Sequence, residues 1–369
     1  MRITALLITL YILLNVAPTV YSATTYSITD LGTIGRSLST GWSINASGWI
    51  AGESTTTGNA VDHGFLYDGT IHDLGTLGGA YSEAFGINAV GQVTGEADVF
   101  DSGFHAFLYD GTMHDLGTLG GSNSRGRSIN ASGELTGWAE TTVDVATRTA
   151  ATHAFLHDGS MHDLGTFGGQ YSEGWGINDR GQIAGGANTA GNASSHAFLY
   201  DGTMHDLGTL GGVNSDGFGI NASGKVTGEA DTSSGATHAF LYDGTMHDLG
   251  TLGGDSSEGF GINVSGQVTG WAYTIGDAAQ HAFLYVTPDG MVDLNSLISP
   301  ASGWILVDAY AINDRGQITG EGAICGATHA FLPPRRPSRA HLCSPDWECW
   351  APSAIFVAHE EHPDRDDSD

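Results

Sequence analysis

Between residues 26 and 332 the chain alternates apolar and polar positions in short runs punctuated by glycine and asparagine, and the same order of runs returns seven times. One copy reads HAFLYDGTMHDLGTLGG, then a GIN triplet, then GQVTG. The period is about 43 residues, which belongs to units of a few strands stacked or arranged around an axis. In residues 105–116 the pair Asp110-Gly111 stands between two alternating runs, the signal for a hairpin with a two-residue type I′ turn. That register sets Tyr109 opposite Thr112 and Phe107 opposite His114. It places His105, Phe107 and Leu116 on one face and Ala106, Leu108 and Met113 on the other. Both faces are largely apolar, so each hairpin must be covered on both sides by neighbouring copies.

The other half of each copy, for example residues 259–270, reads as a second hairpin. Asn263 opens its turn by offering its side chain to nearby amides, and Gly266 closes the turn where positive φ is needed. Asn45, Asn88, Asn130, Asn178, Asn221 and Asn313 hold the same place. Four strands in each of seven units are too many for one open twisted sheet and predict an all-β fold, a seven-bladed β-propeller of four-stranded blades. The segment 26–32 matches the second strand of the first hairpin and 329–332 matches its first strand. Pairing of the N- and C-terminal strands would therefore close the ring, and an open β repeat array is the alternative.

Composition narrows the partners. Twelve Lys plus Arg against 41 Asp plus Glu leave a formal charge of −29, which disfavours nucleic acid and anionic membrane surfaces. An apolar run after Met1-Arg2 with a small-residue flank reads as a signal peptide over 1–22, so the product is expected to be secreted, extracellular or periplasmic, with no membrane span in the mature chain. The repeats occupy 23–332. The segment 333–369 changes composition and is expected to be a largely disordered tail. Cys325, Cys343 and Cys349 are an odd set near the C-terminus, and a Cys343–Cys349 loop is one pairing their spacing admits.

On the motifs HAFLYDG, HDLGTLGG and GIN, the chain resembles the HAF-repeat family of extracellular repeat proteins, over nearly all of 26–332. The first copy departs at His63-Gly64-Phe65, and the seventh lacks the second histidine at Val292-Asp293-Leu294-Asn295 and carries an insertion around 296–307. The resemblance implies export and a repeat architecture and brings no catalytic residues.

Repeated His and Asp residues carry the most chemistry. In the expected register His105 and His114 share a face, which admits a metal ion between them; bonding of each ring to neighbouring backbone is the simpler reading. Asp73, Asp115, Asp163, Asp206, Asp248, Asp293 and Asp30 are expected to accept hydrogen bonds from turn amides or a histidine of their own blade. Because they recur identically, no catalytic residue, metal or cofactor is assigned. The loops that vary before each HAF strand are the candidate binding surface for a glycan or a protein, with Phe100, Phe104, Trp138 and Tyr273 as contacts. A second surface is the segment bearing Ser82-Glu83, Ser172-Glu173, Ser215-Asp216 and Ser257-Glu258, either an acidic collar or strand capping. The sequence thus supports an exported, non-enzymatic binding or scaffold module. The alternative is a secreted polysaccharide- or ester-directed hydrolase or lyase using the irregular seventh unit.

Overall fold

The computed structural model describes residues 29–35, 38–57, 61–100, 103–142 and 150–332. The expected signal peptide, residues 143–149, and the tail with Cys343 and Cys349 lie outside them. Cys325, in a described turn, is disulfide-bonded.

Each antiparallel four-stranded sheet is assembled from two successive copies, the asparagine-turn hairpin of one and the HAF hairpin of the next. The second sheet shows the plan: Gly78–Ile87, Val93–Val99, Gly103–Tyr109 and Met113–Asp115 pair in chain order. The other sheets among the described residues begin at Ser39–Ile44, Gly120–Ile129, Gly168–Ile177, Gly211–Ile220, Gly253–Ile262 and Trp304–Ile312. A single parallel bridge, Thr152 to Tyr171, joins the third sheet to the fourth. In the last sheet the fourth place is taken by Thr29–Asp30, which pairs with Ala327–Leu332 through Thr29↔Leu332 and Asp30↔Phe331. The register expected from the two ends is therefore present.

The outer hairpin differs from expectation by one residue. Tyr109 lies opposite Met113, Leu108 opposite His114 and Phe107 opposite Asp115, so the loop is the three residues Asp110-Gly111-Thr112 and not a two-residue type I′ turn. Only the glycine carries positive φ, at 115°; the aspartate does not need it, because a three-residue loop places the strain on one position. The slip moves Met113 to the face of Phe107 and Leu116 to the face of Ala106 and Leu108, and each packs there.

Those faces build the core between consecutive sheets. Ala51 of the first sheet packs with Ala84, Val93, Ala97 and Phe107 of the second. One HAF-strand phenylalanine per sheet, Phe65, Phe107, Phe155, Phe198, Phe240, Phe283 and Phe331, is fully buried. The second strand must carry glycine beneath this ring: a Cβ on Gly95 would lie 1.8 Å from the Glu83 carbonyl oxygen and 2.8 Å from Phe107. Leu31, Ile44, Ile50 and Phe65 pack with Ala330, so the same core type spans the last sheet and the first. The insertion in the seventh copy is folded in. Two 3-10 turns, Leu294–Leu297 and Pro300–Ser302, bury Ile298 beside Trp304. Among the described residues no helix is long and apolar enough to cross a membrane.

Candidate functional site

The inner strand of every sheet contains a β-bulge at one fixed place, where register skips a residue. The skipped residues are Trp42, Phe85, Arg127, Trp175, Phe218, Phe260 and Tyr310. A bulge bends a strand and re-aims the extra side chain, and all seven line one cavity of about 900 Å³. Small residues flank each one, as in Gly174-Trp175-Gly176 and Ala309-Tyr310-Ala311, which leaves room for the kink.

These side chains touch in an unbroken circuit. Ring centroids are 5.9 Å apart for Trp42–Phe85, 4.5 Å for Trp42–Tyr310, 5.4 Å for Phe260–Tyr310, 5.5 Å for Phe218–Phe260 and 5.2 Å for Trp175–Phe218. The guanidinium of Arg127 completes it, 4.7 Å from the Phe85 centroid and 4.0 Å from that of Trp175, within cation–π range.

Behind the circuit, toward the second strands, stand carboxylates. Glu83 lies opposite Glu96, Asp216 opposite Glu229 and Asp308 opposite Glu321. Two arginines serve two of the acids: Arg125 clamps Glu96 through two bonds of 2.6 and 2.5 Å, and Arg127 Nε donates to Glu173 at 2.6 Å. Tyr171 also donates to Glu173. Among the described residues no Lys, Arg or His forms an ion pair with Glu53, Asp216, Glu229, Glu258, Asp308 or Glu321. Burial, with repulsion among neighbours, pushes Glu53 up to about 9, Glu229 up to about 8, Asp308 up to about 7 and Asp216 up to about 6. Burial also raises Tyr171 and Tyr310 beside the acids.

The serines that precede these acids tie the sheets by hydrogen bonds, and of the acids that follow them Glu173, Asp216 and Glu258 line the cavity. Ser82 Oγ accepts from the Gly64 amide of the previous sheet at 3.0 Å and donates to the Gly75 carbonyl at 2.6 Å.

The repeated imidazoles are occupied structurally. His105 Nδ1 bonds Asp115 at 2.8 Å, and Asp115 accepts from the Gly117 amide at 2.8 Å; His329 and Asp30 repeat the pair across the chain ends at 2.7 Å. The aspartates thus act as their pattern suggested. His114 points to the other face of the hairpin and bonds Asp110 at 2.9 Å, so the register that put His105 and His114 on one face, with a metal between them, is not realised. Among the described residues no group of three or more His, Cys, Asp or Glu is arranged to hold a metal ion.

The four aromatics read from the variable loops do not form one site. Phe104 meets Trp138 edge-on at 5.7 Å, with Arg125 5.9 Å from both rings. Tyr273 meets Trp271 at 5.2 Å in another sheet. Phe100 is 74% exposed. The sequence reading does not single out the cavity ring, because each member stands at an ordinary strand position just before an asparagine turn. The signal that would have found them is a large side chain between two small ones, three residues before each GIN-type asparagine or its equivalent.

No family model matches the chain, and the curated proteins yield no match. Solved structures similar to it in fold include the β-propeller domain of the Trilobed protease from Pyrococcus furiosus, described as having an open velcro topology (13% identity over 70% of this chain and 84% of that one, TM-score 0.50). A puromycin-hydrolyzing peptidase of Mycobacterium tuberculosis is similar at 12% identity over 81% of this chain and 52% of that one, with a TM-score of 0.52. At such identities the likeness shows the fold alone, an all-β, propeller-like one of four-stranded sheets.

Proposed function

We propose that the chain is an exported binding module of the HAF-repeat type, a closed seven-bladed propeller without catalytic activity that takes its extracellular ligand in the central cavity. The observation that carries this reading is the circuit of bulged residues: seven irregularities, each costing ladder hydrogen bonds, aim seven side chains at one space. Aromatic faces suit stacking on a planar or apolar ligand surface. Closure is supported by the Thr29↔Leu332 pairing and by the packing of Ala330 against Phe65 and Ile50. Export is supported by the N-terminal sequence pattern, and mass spectrometry of the mature N-terminus in medium and periplasm tests it; a chain retained in the cytoplasm with residues 1–22 intact overturns it. Binding is tested on glycan and peptide arrays. Trp175→Ala is expected to abolish retention and Phe104→Ala to leave it unchanged; the reverse pattern returns the site to the variable loops.

A second reading rests on Asp308, in the irregular seventh unit, whose carboxyl is pushed up to about 7 beside Glu321 and accepts from Gln280 at 2.8 Å. A carboxyl poised near neutrality suits general acid work. Turnover of a polysaccharide or ester, lost in Asp308→Asn, would establish it.

A further inference from the structure

The cavity is asymmetric, and its asymmetry is informative about charge. On one side the ring already contains a cation: Arg127 lies between Phe85 and Trp175 and donates to Glu173. On the other side Phe218 and Phe260 occupy the corresponding ring positions, and Asp216, Glu229 and Glu258 line the cavity beside them with no ion-pair partner among the described residues. The same protein thus displays a guanidinium held by two aromatic faces and one carboxylate, and also two aromatic rings in mutual contact at 5.5 Å beside carboxylates that no Lys, Arg or His among the described residues pairs with.

Resting on the reading of the cavity as a ligand site, we propose that the Phe218–Phe260 arc binds a guanidinium-bearing ligand, with Asp216, Glu229 and Glu258 as its counter-ions. The aromatic faces favour a planar, weakly hydrated cation over a strongly hydrated one. The acidic surface, at −29 formal charge, draws such ligands toward the cavity. Burial raises Glu229, Glu258 and Asp216, and repulsion from Glu258 adds to the rise of Glu229, so the acids hold protons that an incoming cation must displace. Glu173 and Asp231 also act on these groups, and Arg127 reaches them through Glu173. Affinity therefore rises with pH through the range in which they ionise.

Isothermal titration of the full chain with arginine amide, with a tri-arginine peptide and with calcium chloride, at pH 6 and pH 9, tests the proposal. The expected result is saturable binding of a guanidinium probe, tighter at pH 9 than at pH 6 by about a hundredfold, which is what displacing one proton from Glu229, raised to about 8, requires over that range. Binding should weaken at least tenfold in the Glu229→Gln/Glu258→Gln double variant and severalfold in Phe260→Leu, with melting temperature showing each variant folded. Should the double variant unfold, Phe260→Leu carries the test alone. Arginine amide binding as well as the peptide assigns a free small molecule; a response to the peptide only assigns a protein segment. Response to calcium alone, or guanidinium binding indifferent to all three substitutions, overturns the proposal. Array binding of a neutral ligand, lost in Trp175→Ala, without response to either guanidinium probe, sinks this inference and leaves the binding-module reading standing.

Discussion

The side-chain amide of Asn313 donates to the main-chain carbonyl of Asn45 at 2.9 Å, across 268 residues of sequence. The same bond runs from Asn45 to Asn88, Asn88 to Asn130, Asn130 to Asn178, Asn178 to Asn221, Asn221 to Asn263 and Asn263 to Asn313, so the series returns to its start. Each asparagine also organises its own turn; in Asn313 the side-chain oxygen accepts from the amides of Arg315 and Gln317, both at 3.0 Å. One residue type thus closes a local turn and ties consecutive sheets. Asn313→Ala leaves a buried carbonyl and two amides without this partner, which costs about 1–3 kcal/mol. Urea unfolding should show a lower midpoint at unchanged slope. A midpoint equal to wild type would mean the series contributes nothing to holding the ends.

The pair His329–Asp30 gives that junction a pH dependence. The Asp30 hydrogen bond raises His329, against burial; burial opposes but does not overcome the lowering of Asp30 by His329 and the Gly32 amide. Stability from the raised histidine is fully present below its ordinary 6.5 and lost as pH rises through the folded value. Stability from the lowered aspartate is present above its ordinary 3.8 and lost as pH falls through its folded value. Asp30→Asn should therefore destabilise most between those limits and least above pH 8. The pair is partly exposed, so the effect stays under about 1 kcal/mol. Chemical denaturation of both proteins from pH 3 to 9 reads it directly.

The buried acids behind the ring act in the opposite sense to ordinary surface carboxylates. Glu53 is raised from 4.5 to about 9 by burial and by Glu83, and Glu229 to about 8 by burial and by Glu258. A raised folded value contributes stability below the unfolded one and loses it as pH climbs through the folded one, here between 4.5 and about 9. Glu53→Gln should leave the melting temperature nearly unchanged at pH 4.5 and raise it at pH 9. An effect on the order of 1–2 kcal/mol gives roughly 2–4 °C per kcal/mol in a domain of this size. A lower melting temperature at pH 9 would refute the assigned repulsion.

Phe107 and Phe104 lie three residues apart and should behave very differently. Phe107 is fully buried between two sheets, and Phe107→Ala is expected to cost about 3–5 kcal/mol. Phe104 makes an edge-on contact with Trp138, so Phe104→Ala should cost about 0.5–1.5 kcal/mol. Calorimetry on the two variants separates the buried core from the variable loop.

What could be read from the chain in advance was whatever a few neighbouring residues settle among themselves. The copy number of the phrase, the strand and turn order, the aspartate bonded to the imidazole of its own hairpin and the asparagine at the head of each inner turn all depend on contacts within about a dozen residues, and the residues carrying them recur in every copy. Even there a single-residue choice went astray: Asp-Gly-Thr and Asp-Gly are both acceptable loops, and only packing of Met113 and Leu116 against adjacent sheets selects the register.

The tertiary structure decided the rest. Trp175 and Phe218 lie 43 positions apart and meet at 5.2 Å because two bulges bend two strands toward the same space. The upward shift of Glu229 is a sum of burial and of repulsions from Glu258, Asp216 and Asp231, which are brought near it by separate strands. Such quantities depend on how whole sheets are placed. No local run of residues encodes them, so the sequence alone determined the repeating unit, and the assembly of units determined the site.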